Sequence, residues 1–446
     1  MNRRSFLRNG LCLGGAALGL SPSRWAQALE PGDPDLYYVF AYFSGGWDIL
    51  LSLDPKDPTR FGPENIANTL VQPAYELLES SDGQLIDVGG RIFGPHIGGL
   101  ALHADKLAVL NGMSMETLTH EAGRRRFLTG KAPAGLQARG SSASTWLAAH
   151  YGNRTPIPNL SVRVESYNVD NPAYATALRA NEVPDLMEAL QPNEPLLPES
   201  HRVQLDALMR QTAACPGPMA SPTWQRAEEG RLKAREMAFS GLDELFNFRA
   251  NTPQMQAVRD HYGIPNNNAG LRSSQAQAAM AAAAIKGGVS RCVTFQATSG
   301  LDTHFQEWAS DQGPRQEAGF EVVARLVEDL AASPYGSGGE SWLDHTVIVG
   351  FSEFSRTPLL NGNGGRDHSL TNSCFLIGAG IKAGTYGASS DLGMSPMTVD
   401  LATGRPSAGG EVISPEHVIR SLMEQAGVRN DVADLRVEPY RAILKS

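Results

Sequence analysis

Four segments of this 446-residue chain set acid and imidazole side chains where a cation or an anion could be held. The densest runs Phe351-Ser352-Glu353-Phe354-Ser355-Arg356-Thr357-Pro358 and continues to Gly364-Gly365-Arg366-Asp367-His368. In Ser299-Gly300-Leu301-Asp302-Thr303-His304, the acid and the imidazole stand two apart, so both face one side of an extended chain. Gly45-Gly46-Trp47-Asp48 puts a carboxylate after two glycines that let backbone approach a ligand closely. Thr119-His120 offers a hydroxyl and an imidazole at an expected helix start, where backbone N–H groups favour an anion. Each has a plainer reading: a surface pair for Asp302 and His304, a pairing of Glu353 with Arg356, a turn cap for Asp48, a solvated turn for Asp367 and His368. The arginines Arg124 to Arg126 serve as helix decoration or as anion clamps.

What gives these residues common cause is where they fall. Apolar, β-rich runs precede them at 37–43, 107–111, 291–297 and 345–351, with further runs at 159–164 and 373–377. Several are apolar on both faces, as central strands of a covered sheet are. Open α/β sheets bind ligands beyond the carboxyl ends of their strands. Residues 316–332 carry Phe320, Val323, Leu326, Val327 and Leu330 at helical spacing, which predicts a crossover helix between two parallel strands. Ser414-Pro415-Glu416 opens another helix, with serine at the cap and proline in the first turn. Residues 165–225 are rich in Asn, Pro, Glu and Gln, and 226–286 read as helices, so 165–286 is expected to be a helical insertion beside the sheet. It either caps the site or only packs.

The N-terminus carries Arg3-Arg4-Ser5-Phe6-Leu7, a short apolar run over 11–20, and Ala26-Gln27-Ala28. That order predicts a Tat export signal on residues 1–28, cleaved after Ala28, and a periplasmic or otherwise exported protein on 29–446. Removing four arginines and no acid moves the formal charge from −9 to −13, which disfavours nucleic acid as a partner. No second run approaches membrane length. Cys215, Cys292 and Cys374 are an odd set and predict no disulfide framework; Cys292 and Cys374 sit in strand-like runs as small hydrophobes. A serine-hydrolase elbow and a nucleotide-type phosphate loop are both missing from the sequence.

These segments, in this order, resemble the Tat-exported bacterial family known as domain of unknown function 1501, a distant relative of the alkaline phosphatase and sulfatase superfamily. The resemblance covers nearly the whole mature chain. It implies a three-layer α/β/α sandwich with a mainly parallel sheet. It also implies a metal set drawn from Asp48, His120, Asp302, His304, Glu353, Asp367 and His368. The run ending Leu128-Thr129-Gly130 is similar to the sulfatase signature, which puts His120 at the nucleophile place and Arg124 at that of the signature arginine. A histidine there implies a metal ligand and not the usual alkoxide or formylglycine chemistry, and Glu353-Phe354 in place of Asp-His or Asp-Asn implies one divalent cation (Zn, Mn or Ca) in place of two. The implied activity is hydrolysis of a phosphate or sulfate ester, with Thr119, His120 or a metal-bound water attacking and Arg124 holding the anion. The competing expectation is a non-catalytic exported protein that keeps the fold and works through a protein partner.

Overall fold

The computed structural model describes residues 35–445 except 80, 133, 136, 153, 192–196, 216 and 218–220. The expected export signal lies outside the described residues. The chain builds one eight-stranded sheet from β1 (Tyr37–Phe43), β2 (Leu107–Ser114), β3 (Asn159–Val162), β4 (Leu178–Ala180), β5 (Cys292–Thr298), β6 (Thr346–Phe351), β7 (Thr371–Gly378) and β8 (Gly384–Gly387). Their order across the sheet is β8-β2-β7-β6-β1-β5-β3-β4. β1 lies at the centre, parallel to β6 and β5. β7 alone runs antiparallel, between β6 and β2.

Alternation along β1 assigns its side chains to two cores. Tyr37, Val39, Ala41 and Phe43 join one apolar cluster, with helices α3 (Ser274–Lys286) and α4 (Gly313–Ala332). Tyr38, Phe40 and Tyr42 join the other, with α1 (His120–Thr129), α2 (Ala143–Tyr151) and α5 (Pro415–Gln425). Both faces of the sheet are thus covered, and the chain is the expected three-layer sandwich with a mainly parallel sheet. The expected crossover helix is α4, which begins at Gly313, earlier than its apolar spacing indicated. Among the described residues, no helix is long and apolar enough to cross a membrane.

The stretch expected as a helical insertion differs in two ways. It contains β4, which pairs parallel with β3 at the sheet edge. It also contains α3, which is core: small alanines let the helix lie close on the sheet, and ten of its residues are buried. Helices also form within 165–225, at Val183–Leu190 and Glu199–Ala213. Cys292 and Cys374 are buried, Cys215 is exposed, and all three are free thiols.

Candidate metal centre

The carboxyl ends of β1, β5 and β6 meet at one edge of the sheet. Because β7 runs the other way, its amino end reaches the same edge, and the segment before it carries Asp367 and His368. A two-residue antiparallel pairing, Ser355–Arg356 against His368–Ser369, ties that segment to the one leaving β6. The chain leaving β1 passes very close to the one leaving β5. Gly45 has φ +113°, and a Cβ there would lie 2.6 Å from the Leu301 nitrogen, so only glycine fits. Helix α1 approaches with equal intimacy: a Cβ on Gly123 would lie 2.3 Å from the Glu353 carbonyl oxygen. That contact delivers His120, at the first turn of α1, to the end of β6.

At this junction one carboxylate oxygen, Asp302 Oδ1, is surrounded by nitrogen. Arg356 Nη2 donates to it at 2.7 Å. His304 Nε2 lies at 3.0 Å, His120 Nε2 at 3.3 Å and His368 Nε2 at 3.4 Å. His304 Nε2 and His368 Nε2 are themselves 3.0 Å apart. The ligand atoms of His120, Asp302 and His368 all lie within 4.8 Å of one another. The Asp302 side chain is half exposed, so the centre opens to solvent.

The other ring nitrogens are held from behind. His120 Nδ1 donates to Glu353 Oε1 (2.8 Å), His304 Nδ1 to Asp367 Oδ1 (2.8 Å), and His368 Nδ1 to the Leu118 carbonyl (2.6 Å). An ionised carboxylate or a carbonyl can only accept, so each Nδ1 carries a proton and, in the neutral ring, each Nε2 presents a lone pair. Glu353 is fixed in turn by the Gly45 N–H (2.9 Å) and the Ser352 hydroxyl (2.9 Å). Its hydrogen bond raises the His120 pKa above the ordinary histidine value, against the effect of burial. Burial lowers that of His368. For Asp302, burial pushes the carboxyl up, but Arg356 and the neighbouring imidazoles outweigh it and hold it at about 2.

The remaining residues of the expected set stand elsewhere. Asp48 is fully buried; its Oδ2 lies 3.0 Å from Arg366 Nε and accepts from Trp308 Nε1 at 2.9 Å, and its Oδ1 accepts from the Leu50 N–H. Both its oxygens are taken by these buried donors, and it does not group with His120, Asp302 and His368. Glu353 and Asp367 act through His120 and His304, not by facing the centre. Arg124 pairs with Glu165 at 2.6 Å, so its charge is not free to hold an anion. Thr119 precedes α1 with an exposed hydroxyl that lies 3.4 Å from that of Thr117.

Two residues that sequence reasoning underrated organise the site. Arg356 is buried, and besides Asp302 it donates to the carbonyls of Gly45, Gly46 and Arg366 and to His304 Nε2. Its motif position is legible, but not its partner: the plainer reading of Glu353 pairs that acid with Arg356, whereas the structure pairs Arg356 with Asp302. Arg366 donates to the carbonyls of Thr357, Gln72 and Pro73 while pairing with Asp48.

A family model described as protein of unknown function (DUF1501) matches residues 38–402. The chain belongs to the DUF1501 family. No curated protein matches it in sequence. Among solved structures, the chain is similar to Ps i-CgsB in complex with k-i-k-neocarrahexaose, at 9% identity and TM-score 0.37, over 91% of this chain and 75% of that one. A Bacteroides thetaiotaomicron structure described under the metabolism of multiple glycosaminoglycans matches at 9% identity and TM-score 0.38, over 91% and 76%. A Vibrio parahaemolyticus protein described as in the alkaline phosphatase superfamily matches at 7% identity and TM-score 0.35, over 94% and 75%. For this DUF1501 protein, assignment of activity rests on the site itself.

Proposed function

We propose that this chain is an exported hydrolase of sulfate or phosphate esters that works with one divalent cation held by His120, Asp302 and His368. The observation that carries the reading is the set of ring nitrogens. Three imidazoles each spend Nδ1 on an acceptor and turn Nε2 toward the same carboxylate oxygen, two of them 3.0 Å apart. Arg356 answers Asp302 and His304 in part, the Nε2 atoms of His120 and His368 are left to a further positive charge, and histidines that ligate metal are held in this way. Two imidazoles and one carboxylate suit zinc and tell against calcium, which takes oxygen ligands. Three protein ligands with an open side fit a catalytic site better than a closed structural one.

A divalent cation here would supply Lewis acidity toward the ester's anionic oxygen. The chain's own residues do the rest. Arg356 keeps Asp302 ionised and oriented. Glu353 and the Leu118 carbonyl fix the rings of His120 and His368. His304, oriented by Asp367, is the group placed to take a proton from an attacking water. In the overall reaction, the water oxygen bonds to sulfur or phosphorus. The ester oxygen leaves with the electron pair of its broken bond and, after a proton, departs as the alcohol. The twin-arginine segment of residues 1–28 supports export through the Tat pathway.

His304→Gln separates the roles. It is expected to keep the cation and to lower kcat on an ester substrate by about a hundredfold or more. Full turnover in that variant would remove His304 from the mechanism. Absence of turnover on sulfate and phosphate esters by the cation-loaded protein would contradict the hydrolase reading.

A further inference from the structure

We infer that the ester taken by this site carries a single negative charge and an apolar, aryl- or alkyl-type alcohol; the inference rests on the proposed hydrolase reading. Two independent observations lead to it. The first is charge. A divalent cation and Arg356 bring three positive charges to the centre, and Asp302, Glu353 and Asp367 bring three negative ones. A monoanion therefore leaves one net negative charge in the filled site, whereas a dianion leaves two. Nor do the arginines on the segments that carry the cluster offer help. Arg124 and Arg125 both pair with Glu165, and Arg126 pairs with Glu116 and Glu416, so three arginines face three carboxylates. Arg315 pairs with Asp311, Arg366 with Asp48, and Arg356 with Asp302.

The second observation is apolar exposure on the segments that carry the cluster. Phe305, Leu118 and Leu370 are large apolar side chains, 57%, 45% and 48% exposed. Each lies within two residues of a member of the cluster, and each comes from a different segment: Phe305 follows His304, Leu118 precedes Thr119 and His120, and Leu370 follows His368 by two. Leu118 is joined to the cluster directly, through its carbonyl on His368. Large apolar side chains left exposed on three of the segments that carry a polar centre favour a binding face there. It gains free energy by covering an apolar group and gains nothing from a hydroxylated sugar.

The test uses the full mature chain loaded with zinc, first titrated for stoichiometry and then probed by isothermal titration calorimetry at pH 8. The probes are phenyl sulfate, phenyl phosphate and glucose 6-sulfate. Phenyl phosphate is mostly dianionic at that pH, since phosphate monoesters lose their second proton near pH ~6. The expected result is that phenyl sulfate binds at least about tenfold more tightly than either of the others. Phe305→Ser and Leu370→Ser should each weaken phenyl sulfate several-fold while leaving glucose 6-sulfate and zinc stoichiometry unchanged. Equal or tighter binding of phenyl phosphate overturns the charge argument, and Phe305 and Leu370 variants that do not move phenyl sulfate overturn the apolar one. Failure of the zinc titration itself overturns the underlying hydrolase reading, and is seen before any ester is added.

Discussion

Arg356 and Asp302 meet at 2.7 Å, the guanidinium wholly buried and the carboxylate half exposed. The arginine also holds the carbonyls of Gly45, Gly46 and Arg366, so one side chain ties together the ends of β1, β5 and β6 and keeps Asp302 charged. Replacing it by leucine leaves those buried carbonyls without their donor. Each unmet group costs about 1–3 kcal/mol, so Arg356→Leu should lower stability by at least about 2 kcal/mol, read as a shift in urea midpoint. An unshifted midpoint would mean that Arg356 does not organise this edge.

Glu353 acts on the centre through His120. Glu353→Gln keeps the size and a weaker acceptor but removes the charge behind the ring. Cation affinity should fall about 10–100-fold in a chelator competition, with the circular dichroism spectrum unchanged. Equal affinity would show that Glu353 serves the fold alone.

Protons compete with the cation for the same nitrogens. Asp302, held at about 2, stays ionised near neutrality, so the competition falls on the imidazoles. His120, with its pKa raised by Glu353, keeps its proton to higher pH than an ordinary histidine, whereas His368, lowered by burial, gives it up sooner. Apparent cation affinity should therefore fall with decreasing pH, by up to about tenfold per unit once His120 is protonated. The linkage without cation has the opposite sign. A raised folded-state pKa contributes stability below the unfolded value of about 6.5, and that contribution is lost as pH rises through the folded value. Isothermal titrations from pH 8 to 5.5 would check the first statement. A flat profile would contradict it.

Asp48 offers the converse control. Its partner is Arg366, with both side chains fully buried. Asp48→Ala strands a buried guanidinium and should destabilise the protein by about 3–5 kcal/mol. Any protein that still folds should bind one cation as the parent does. Loss of the cation from a folded Asp48→Asn variant would return Asp48 to the ligand set.

Much of this arrangement is legible in sequence, because buried parallel strands are apolar on both faces and stand out from their surroundings. The ends of β1, β5 and β6, with Asp302, His304 and Glu353 just beyond them, are found that way. The edge strands β4 and β8 are not, since three or four residues establish no alternation. Pairings are the harder part. Asp48 and Arg366 are remote in sequence, and nothing local says that an acid after the first strand meets a guanidinium and not a cation. The same holds for Arg356, three residues from Glu353 yet bonded to Asp302. Residue type and place are local properties; which lone pair faces which donor is decided by the close glycine contacts that bring four segments together.

The central claim is that His120, Asp302 and His368 hold one divalent cation. The direct measurement is metal content by inductively coupled plasma mass spectrometry on purified protein reconstituted with zinc. It would be made beside the His120→Ala, His368→Ala double variant, with folding checked by circular dichroism. The account predicts about one equivalent of zinc in the parent and none in a folded double variant. A parent that binds no zinc, or a double variant that keeps the full equivalent, would contradict it.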